Sequence, residues 1–212
     1  MITGELLELL SDQKDPDLMP VVELAAGDDD FLALLQSGLT SKQDIFRYNC
    51  LKTLLKLAEK KPARLMPFWS DFAAMVEMEN SYHRSIGMML VSALAAAASE
   101  DQWKGLIERY LDLLDDESFV TARQTAQAAG RVALVRLELR DQILNRLFAI
   151  DRTHFPAERQ ALLKADIIQS VDLLPAEIAD HGEVIAWVAA ARDCSSPKTR
   201  SAARAFLKKR GL

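Results

Sequence analysis

The sequence predicts an all-α protein built from repeated pairs of helices. Three observations indicate this fold class. The 212 residues include only 8 glycines and 7 prolines, which leaves few turn signals for a sheet. Apolar residues recur at helical spacings through most of the chain. A similar segment also returns about every 38 residues, which is typical of helical repeats.

The repeated segment is marked by an arginine early in a helical pattern. The five arginines are Arg47, Arg84, Arg123, Arg159 and Arg200, at successive spacings of 37, 39, 36 and 41 residues. Three residues after each arginine stand, in order, Cys50, Gly87, Ala126, Leu162 and Ala203, of which four are small. A small residue at a fixed helical position lets two helices pack closely. Another helical pattern and a short polar break precede each segment, so the segment is interpreted as the second helix of a pair.

The predicted elements follow from these segments and from the polar breaks between them. Residues 1–28 form an N-terminal helical cap with helices at 3–10 and 16–26, the second opened by Asp15 and Pro16. Five repeats follow near 29–61, 62–99, 100–139, 140–173 and 174–212, and together with the cap they form one predicted domain, 1–212. Their first helices, called A helices, are placed near 29–37, 63–78, 101–114, 140–150 and 176–191. Their second helices, called B helices, are placed near 42–60, 81–99, 118–138, 156–171 and 197–210.

Polar residues at the predicted starts of the B helices support these boundaries. Ser41 with Asp44 resembles a capping box, and Ser118, Pro156 and Pro197 are predicted helix starts. At this level of detail the chain resembles the HEAT/armadillo-like helical repeat proteins over roughly residues 29–210. The resemblance implies a right-handed α-α superhelix, a HEAT-like solenoid, of about five two-helix repeats in which the B helices line a concave surface.

The resemblance also implies a structural ladder, in which the early arginine of each B helix pairs with an acid in the preceding turn. Glu77 or Glu79 is the expected acid for Arg84, and Glu117 is the expected acid for Arg123. Asp151 and Asp193 are similarly placed before the fourth and fifth arginines. The first repeat departs from this pattern, because Ser41 occupies the corresponding position before Arg47.

Motifs for catalysis and metal binding are missing from the sequence. The three histidines, His83, His154 and His181, lie far apart, and neither HExxH nor CxxC occurs. No GxSxG is present, and Cys50 stands at the small, core-facing position of its repeat. We therefore assign no catalytic or metal-binding residue and expect no cofactor.

Charge is distributed unevenly between the two kinds of helix. The B segments carry a net charge of +14, and the remainder carries −19, within an overall charge of −5. A basic concave face would attract anionic partners, although cations near helix C-termini produce part of this pattern anyway. The residues predicted to contact a partner on the concave face are Asn49, Lys52, Lys56, Tyr82, His83, Met89, Arg131, Lys164 and Arg204.

The leading functional hypothesis is a non-catalytic interaction or scaffold module that binds a protein or peptide on its concave face. The alternative is a nucleic-acid-binding protein, or an alkylated-DNA glycosylase of HEAT-like fold with a basic groove, for which Trp69 with Asp71 is the suggestive pair. A third possibility is a lyase-like repeat protein that handles a pigment or another small molecule, with His83 as the candidate residue of its pocket.

Targeting signals are not evident in the sequence. No basic segment precedes the first apolar stretch, and the longest uncharged apolar run, 86–98, is shorter than the roughly 20 residues that span a bilayer. We expect a cytoplasmic protein with reduced cysteines and no membrane contact.

Overall fold

The structure, a computed structural model, describes the backbone of residues 2–212 and the side chains of residues 4–212. Within this range the chain is helical and contains no β-strand, which confirms the all-α prediction. No helix in the same range is both long enough and apolar enough to cross a membrane. Contacts divide the chain into two units, one extending to Ser99 and the other covering Glu100–Leu212.

The first unit contains six α-helices within residues 2–99. They are α1 Ile2–Asp12, α2 Met19–Ala25, α3 Asp29–Gly38, α4 Asp44–Lys60, α5 Trp69–Met75 and α6 Ser81–Ala93. Short 3₁₀ segments at Pro62–Arg64 and Met66–Phe68 connect α4 to α5. Helix α4 is central in this unit, since α1, α2, α3 and α6 all pack against it, and α5 packs on α6.

The second unit contains eight α-helices. They are α7 Glu100–Lys104, α8 Ile107–Asp112, α9 Phe119–Val135, α10 Arg140–Phe148, α11 Ala157–Val171, α12 Ala176–Ala179, α13 Gly182–Ala190 and α14 Pro197–Lys209. The 3₁₀ segments of this unit are Leu113–Asp115, Leu137–Leu139, Ile150–Arg152 and Ala191–Asp193. Helix α11 packs between α9 and α14, while α10 lies on α9 and α13 lies on α14.

The five predicted B helices correspond to α4, α6, α9, α11 and α14. Ser118 caps α9 by accepting a hydrogen bond from the Thr121 amide, and Ser196 caps α14 in the same way from Thr199. Asn80 caps α6. Helix α6 ends at Ala93, six residues before the predicted end, and the following residues form turns.

The predicted capping box before α4 is wrong. Helix α4 begins at Asp44 with Gln43 in the N-cap position, and the Ser41 hydroxyl accepts a hydrogen bond from the Gln43 amide at 3.1 Å. Ser41 therefore shapes the turn before the helix. The start of the second helix is also corrected, because α2 begins at Met19, whose amide donates to the Asp17 carboxylate.

Three predicted A helices are broken in the structure. The predicted helix 63–78 is reduced to α5 because Pro62 and Pro67 lack an amide hydrogen and favour short 3₁₀ turns before it. The predicted helix 101–114 is divided into α7 and α8 around Gly105, a poor helix former. The predicted helix 176–191 is divided into α12 and α13 at Asp180 and His181.

The small residues that follow the repeated arginines lie in the helix–helix interfaces. Cys50, Ala126 and Ala203 have no exposed surface, and Gly87 is buried between α5 and α6. A Cβ atom on Gly87 would lie 2.6 Å from the carbonyl oxygen of Phe72, which no real side chain tolerates. A glycine is therefore required where α5 and α6 approach each other.

Candidate interaction surface

Three of the five repeated arginines bind the turns that precede their own helices. In three B helices the arginine Nη1 donates to the backbone carbonyl six residues earlier. The pairs are Arg47 with Ser41 at 2.6 Å, Arg84 with Met78 at 2.9 Å and Arg200 with Cys194 at 2.8 Å. The common spacing explains why an arginine recurs at this position. Its guanidinium extends back over the first helical turn and donates to a carbonyl that no helix amide reaches.

The remaining two arginines behave differently. Arg123 donates to the carboxylate of Asp166 on the neighbouring helix α11, while Glu117 makes no hydrogen bond or ion pair among the residues described. The Arg159 guanidinium lies 5.1 Å from the ring centre of Phe119. On the same helix, α11, Gln160 donates to the preceding turn instead, at 3.0 Å from the Thr153 carbonyl.

Two exposed tyrosines mark the surface of the first unit. Tyr48 on α4 is 55% exposed, and Tyr82 on α6 is 69% exposed, unusually large fractions for aromatic side chains. The Lys52 Nζ lies 4.6 Å from the Tyr48 ring centre, and the Arg47 Cζ lies 5.6 Å from that of Tyr82. Each tyrosine is therefore held in contact with a cation.

We call this surface the tyrosine face and define it by Tyr48, Lys52 and Lys56 on α4 and by Tyr82 and His83 on α6. The three α4 residues follow each other at four-residue intervals, which places them along one side of that helix. Helices α4 and α6 pack against each other, so the two parts lie on adjacent helices of one unit.

The lysines of the tyrosine face differ in their partners. Lys52 forms a 2.5 Å ion pair with Asp15, and this contact lowers the pKa of the Asp15 carboxyl and raises the pKa of Lys52. Lys56 is exposed and forms no ion pair among the described residues. A shallow groove of about 560 Å³ runs between these lysines and the segment 15–18, with Leu18 and Leu55 in its wall.

His83 is a second residue of the tyrosine face whose pKa is shifted by its surroundings. Its side chain is partly buried, and this burial, with a smaller contribution from the Arg47 charge, lowers the pKa of the imidazole below the ordinary 6.5. The neutral form of His83 is therefore favoured near neutral pH. Met89, one of the predicted contact residues on α6, is half-buried.

Asn49 lies in the interior of the first unit. It has no exposed surface, and its Nδ2 donates to the carbonyls of Leu10 at 2.9 Å and Gln13 at 2.8 Å. These bonds tie the end of α1 to α4, because they satisfy carbonyls that the helix leaves unpaired. Its side chain is thus unavailable to a partner, although its position in the α4 pattern had placed it among the contact residues.

The basic residues predicted for the later repeats separate into two groups. Lys164 forms a 2.8 Å ion pair with Asp151, the acid of the preceding turn. Arg131 on α9 and Arg204 on α14 are exposed and make no hydrogen bond or ion pair with the described side chains and backbone. The two arginines are therefore the predicted residues of the second unit that remain available at the surface.

Asp166 is an important residue that the sequence analysis missed. It has no exposed surface, and its carboxylate accepts hydrogen bonds from Arg123 at 2.6 and 3.0 Å, Lys198 at 3.0 Å and Gln127 at 3.1 Å. Burial alone would raise the pKa of Asp166, but the hydrogen bonds from these donors outweigh it and lower the pKa. The available signal was one acid inside the apolar pattern "ALLKADIIQSV" of α11.

Cys50 and the Trp69–Asp71 pair are the other residues that the sequence raised as candidates for chemistry. Burial raises the pKa of the Cys50 thiol to about 12, so the thiolate needed for nucleophilic attack is disfavoured. Trp69 of the suggested Trp69–Asp71 pair is 4% exposed and packs in the core, whereas Asp71 accepts a hydrogen bond from Gln36. Among the described residues, no three His, Cys, Asp or Glu side chains are grouped to hold a metal ion.

Comparison with protein-family models and with curated proteins found no match to this chain.

Proposed function

We propose that this chain is a helical-repeat interaction module that binds an acidic segment of a partner protein through the tyrosine face. The observation that carries the proposal is a pair of exposed tyrosines on adjacent helices, Tyr48 on α4 and Tyr82 on α6. Each ring is in contact with a cation of α4. Tyrosine and arginine are both enriched in protein interfaces. Tyrosine suits an interface because its rigid ring buries much apolar area while its hydroxyl finds a polar partner.

The proposed architecture is a HEAT-like right-handed superhelix of about five two-helix repeats behind an N-terminal cap. The support comes from local features that recur along the chain. An arginine of α4, α6 and α14 donates to the carbonyl six residues earlier, and α9, α11 and α14 pack in chain order. Repeats that contact mainly their neighbours leave one side of each helix available for binding.

An acidic partner fits the charge of this surface. The segment 42–61, which includes α4, carries a net charge of +4 in a chain whose overall charge is −5. Lys56 has no ion-pairing partner among the described residues, and Lys52 already binds a carboxylate, that of Asp15, at 2.5 Å. A short acidic segment would be attracted by this local positive charge. At physiological salt, ions screen the repulsion from acids of the protein that lie more than about 8 Å away.

Nucleic acid is the second candidate ligand, and the same exposed tyrosines support it. Bases stack on aromatic rings, and lysines contact phosphates in proteins that bind single strands. The acidic pI of about 5.3 weighs against it, since a long polyanion would also meet the acidic parts of the chain. We therefore favour a protein segment and make nucleic acid an outcome of the test.

The test compares two labelled probes by fluorescence anisotropy at about 50 and 150 mM salt. One probe is a 20-residue peptide of glutamate, aspartate and leucine, and the other is a mixed-sequence single-stranded DNA. Each is titrated with the native protein, with Tyr82→Ala and with the double variant Lys52→Glu/Lys56→Glu. The matched control is Lys104→Glu/Lys208→Glu, which reverses two exposed lysines outside the tyrosine face.

We expect the peptide to bind and its affinity to fall about tenfold or more in the double variant, with Tyr82→Ala also weakened and the control unchanged. DNA binding that falls steeply with salt, without peptide binding, would replace the proposal with the nucleic-acid alternative. Equal losses in the control and the double variant would show that general charge, rather than this face, attracts the peptide.

A further inference from the structure

A buried carboxylate on one helix of the second unit binds cations on two other helices of that unit. Asp166 of α11 is held by Arg123 and Gln127 of α9 and by Lys198 of α14. One negative charge is thus shared by two positive charges, which leaves a net charge of +1 in the cluster. The side chain of Asp166 has no exposed surface, whereas those of Arg123 and Lys198 are 34% and 44% exposed.

The guanidinium of Arg123 uses only one of its two bidentate edges. Its Nε and Nη2 donate to Asp166 at 2.6 and 3.0 Å. Its Nη1 has no hydrogen-bond partner within the described residues, and this atom is accessible to solvent rather than buried. The edge formed by Nη1 and the second hydrogen of Nη2 therefore remains available, and such an edge matches the oxygens of a phosphate or a carboxylate.

Lys198 supplies further donors beside this edge. Its ammonium has three hydrogens, of which one is directed to Asp166 Oδ1 at 3.0 Å. The residue lies in the first turn of α14, where the helix dipole also favours negative charge. Asp166 Oδ1 accepts three hydrogen bonds, and Oδ2 accepts one from Arg123 Nε. The carboxylate is thus well satisfied, and the unused hydrogens of both cations can serve another acceptor.

We propose that Arg123 and Lys198 form a binding site for a phosphate-type oxyanion, with Asp166 as the buried residue that positions both cations. The anion accepts from Arg123 Nη1 and from Lys198 Nζ, and a tetrahedral group has oxygens enough to reach both. Because Asp166 already holds the two side chains, the ligand loses less affinity to ordering them. The site lies on α9, α11 and α14, which carry none of the tyrosine face, so it does not depend on the proposed function.

The experiment titrates the ¹⁵N-labelled full chain with inorganic phosphate at constant ionic strength and follows the Arg123 Nε–H signal by NMR. Phenyl phosphate is titrated in parallel, because tighter binding of the ester would indicate a phosphorylated ligand rather than the free ion. Lys198→Gln is the test variant, since it leaves Arg123 to neutralise Asp166. Lys198→Arg restores the charge, and Arg131→Gln removes an exposed arginine of the same helix α9.

We expect a saturable shift of the Arg123 signal in the native protein and about tenfold weaker binding in Lys198→Gln. Lys198→Arg should recover most of the affinity, and Arg131→Gln should bind like the native protein. A shift that does not saturate, or equal binding by Lys198→Gln in a variant that melts like the native protein, would overturn the proposal. An equal loss in Arg131→Gln would also overturn it, because the attraction would then be unspecific.

Discussion

Gly130 of α9 and Ser170 of α11 meet where the two helices cross, and the Gly130 amide donates a 2.6 Å hydrogen bond to the Ser170 hydroxyl. Both residues are buried. A Cβ atom at Gly130 would collide with the backbone carbonyl of Ser170, which cannot move without shifting α11. Because the same two helices hold Asp166 and Arg123, their close approach also sets the geometry of the proposed anion site.

The variant Gly130→Ala should destabilise the second unit by about 1–3 kcal/mol or more, because an added methyl group must push α9 and α11 apart. Urea unfolding followed by circular dichroism measures the change. Gly182→Ala is the matched control, since nothing lies within 4 Å of its added Cβ. We expect the control to be neutral or slightly stabilising, and equal stability of Gly130→Ala and the native protein would contradict the observed packing.

Arg84→Ala should lower the free energy of unfolding by about 1–3 kcal/mol. The arginine donates to the carbonyls of Met78 at 2.9 Å and Glu79 at 2.6 Å, and its removal leaves the turn before α6 without these bonds. Arg131→Ala, at an exposed arginine without a partner in the described chain, serves as the control and should change stability little. A melting temperature unaffected by Arg84→Ala would refute the turn-binding role of the repeated arginine.

Asp166→Asn should destabilise the protein by about 2–3 kcal/mol at pH 7, because charged hydrogen bonds to Arg123 and Lys198 are lost. Since folding lowers the pKa of Asp166, its stabilising effect is present above the ordinary value of 3.8 and is lost as pH falls through the lower folded value. The difference between native and variant should therefore be constant from pH 7 to 5 and decrease below 3.8.

The measurement for Asp166 is urea unfolding across this pH range. Asp101→Asn is a suitable control, because the Asp101 carboxylate is exposed and makes no ion pair among the residues described. A difference between the native protein and Asp166→Asn that grows as the pH falls from 5 to 3 would show the opposite sign of pKa shift.

His83 should titrate below its ordinary pKa of 6.5, and Arg47→Gln should move the pKa upward. Burial is the larger cause of the lowered pKa and remains in the variant, so we expect only a partial return toward 6.5. NMR of the imidazole C–H signals between pH 5 and 8 measures both values. Lys42→Gln, at an exposed lysine just before α4, is the control and should leave the titration unchanged. A native pKa at or above 6.5 would contradict the placement of His83.

The positions of the B helices were predictable because their signals are local. Ser118 and Ser196 cap helices through contacts three residues away, and the apolar spacing is visible in a short window of sequence. The breaks in the A helices were harder to predict, although Pro62 and Pro67 argue against a continuous helix at 63–78. The apolar periodicity continues across these prolines, so it does not reveal the break that their missing amide hydrogens cause.

The candidate surface was predictable only in part. Lys52, Lys56 and Tyr82 were singled out from the repeat alignment, and the structure adds Tyr48, whose ring lies against Lys52. Asn49 belongs to the same helix but is buried, because α1 packs on that side of α4. Along one turn of α4 the side chains change from exposed to buried within two residues. An alignment shifted by a single position therefore assigns a buried residue to the exposed side of the helix.

The sequence by itself determined the helical class, the positions of the five B helices to within about two residues at most boundaries and the recurring arginine. These properties depend on interactions within about six residues, which short segments contain in full. Only the tertiary structure decided which charges are paired. Arg123 and Asp166 are 43 residues apart, and Lys198 lies 32 residues beyond Asp166. Their meeting depends on how closely α9, α11 and α14 pack, and that packing is set by the whole buried interface rather than by any one segment.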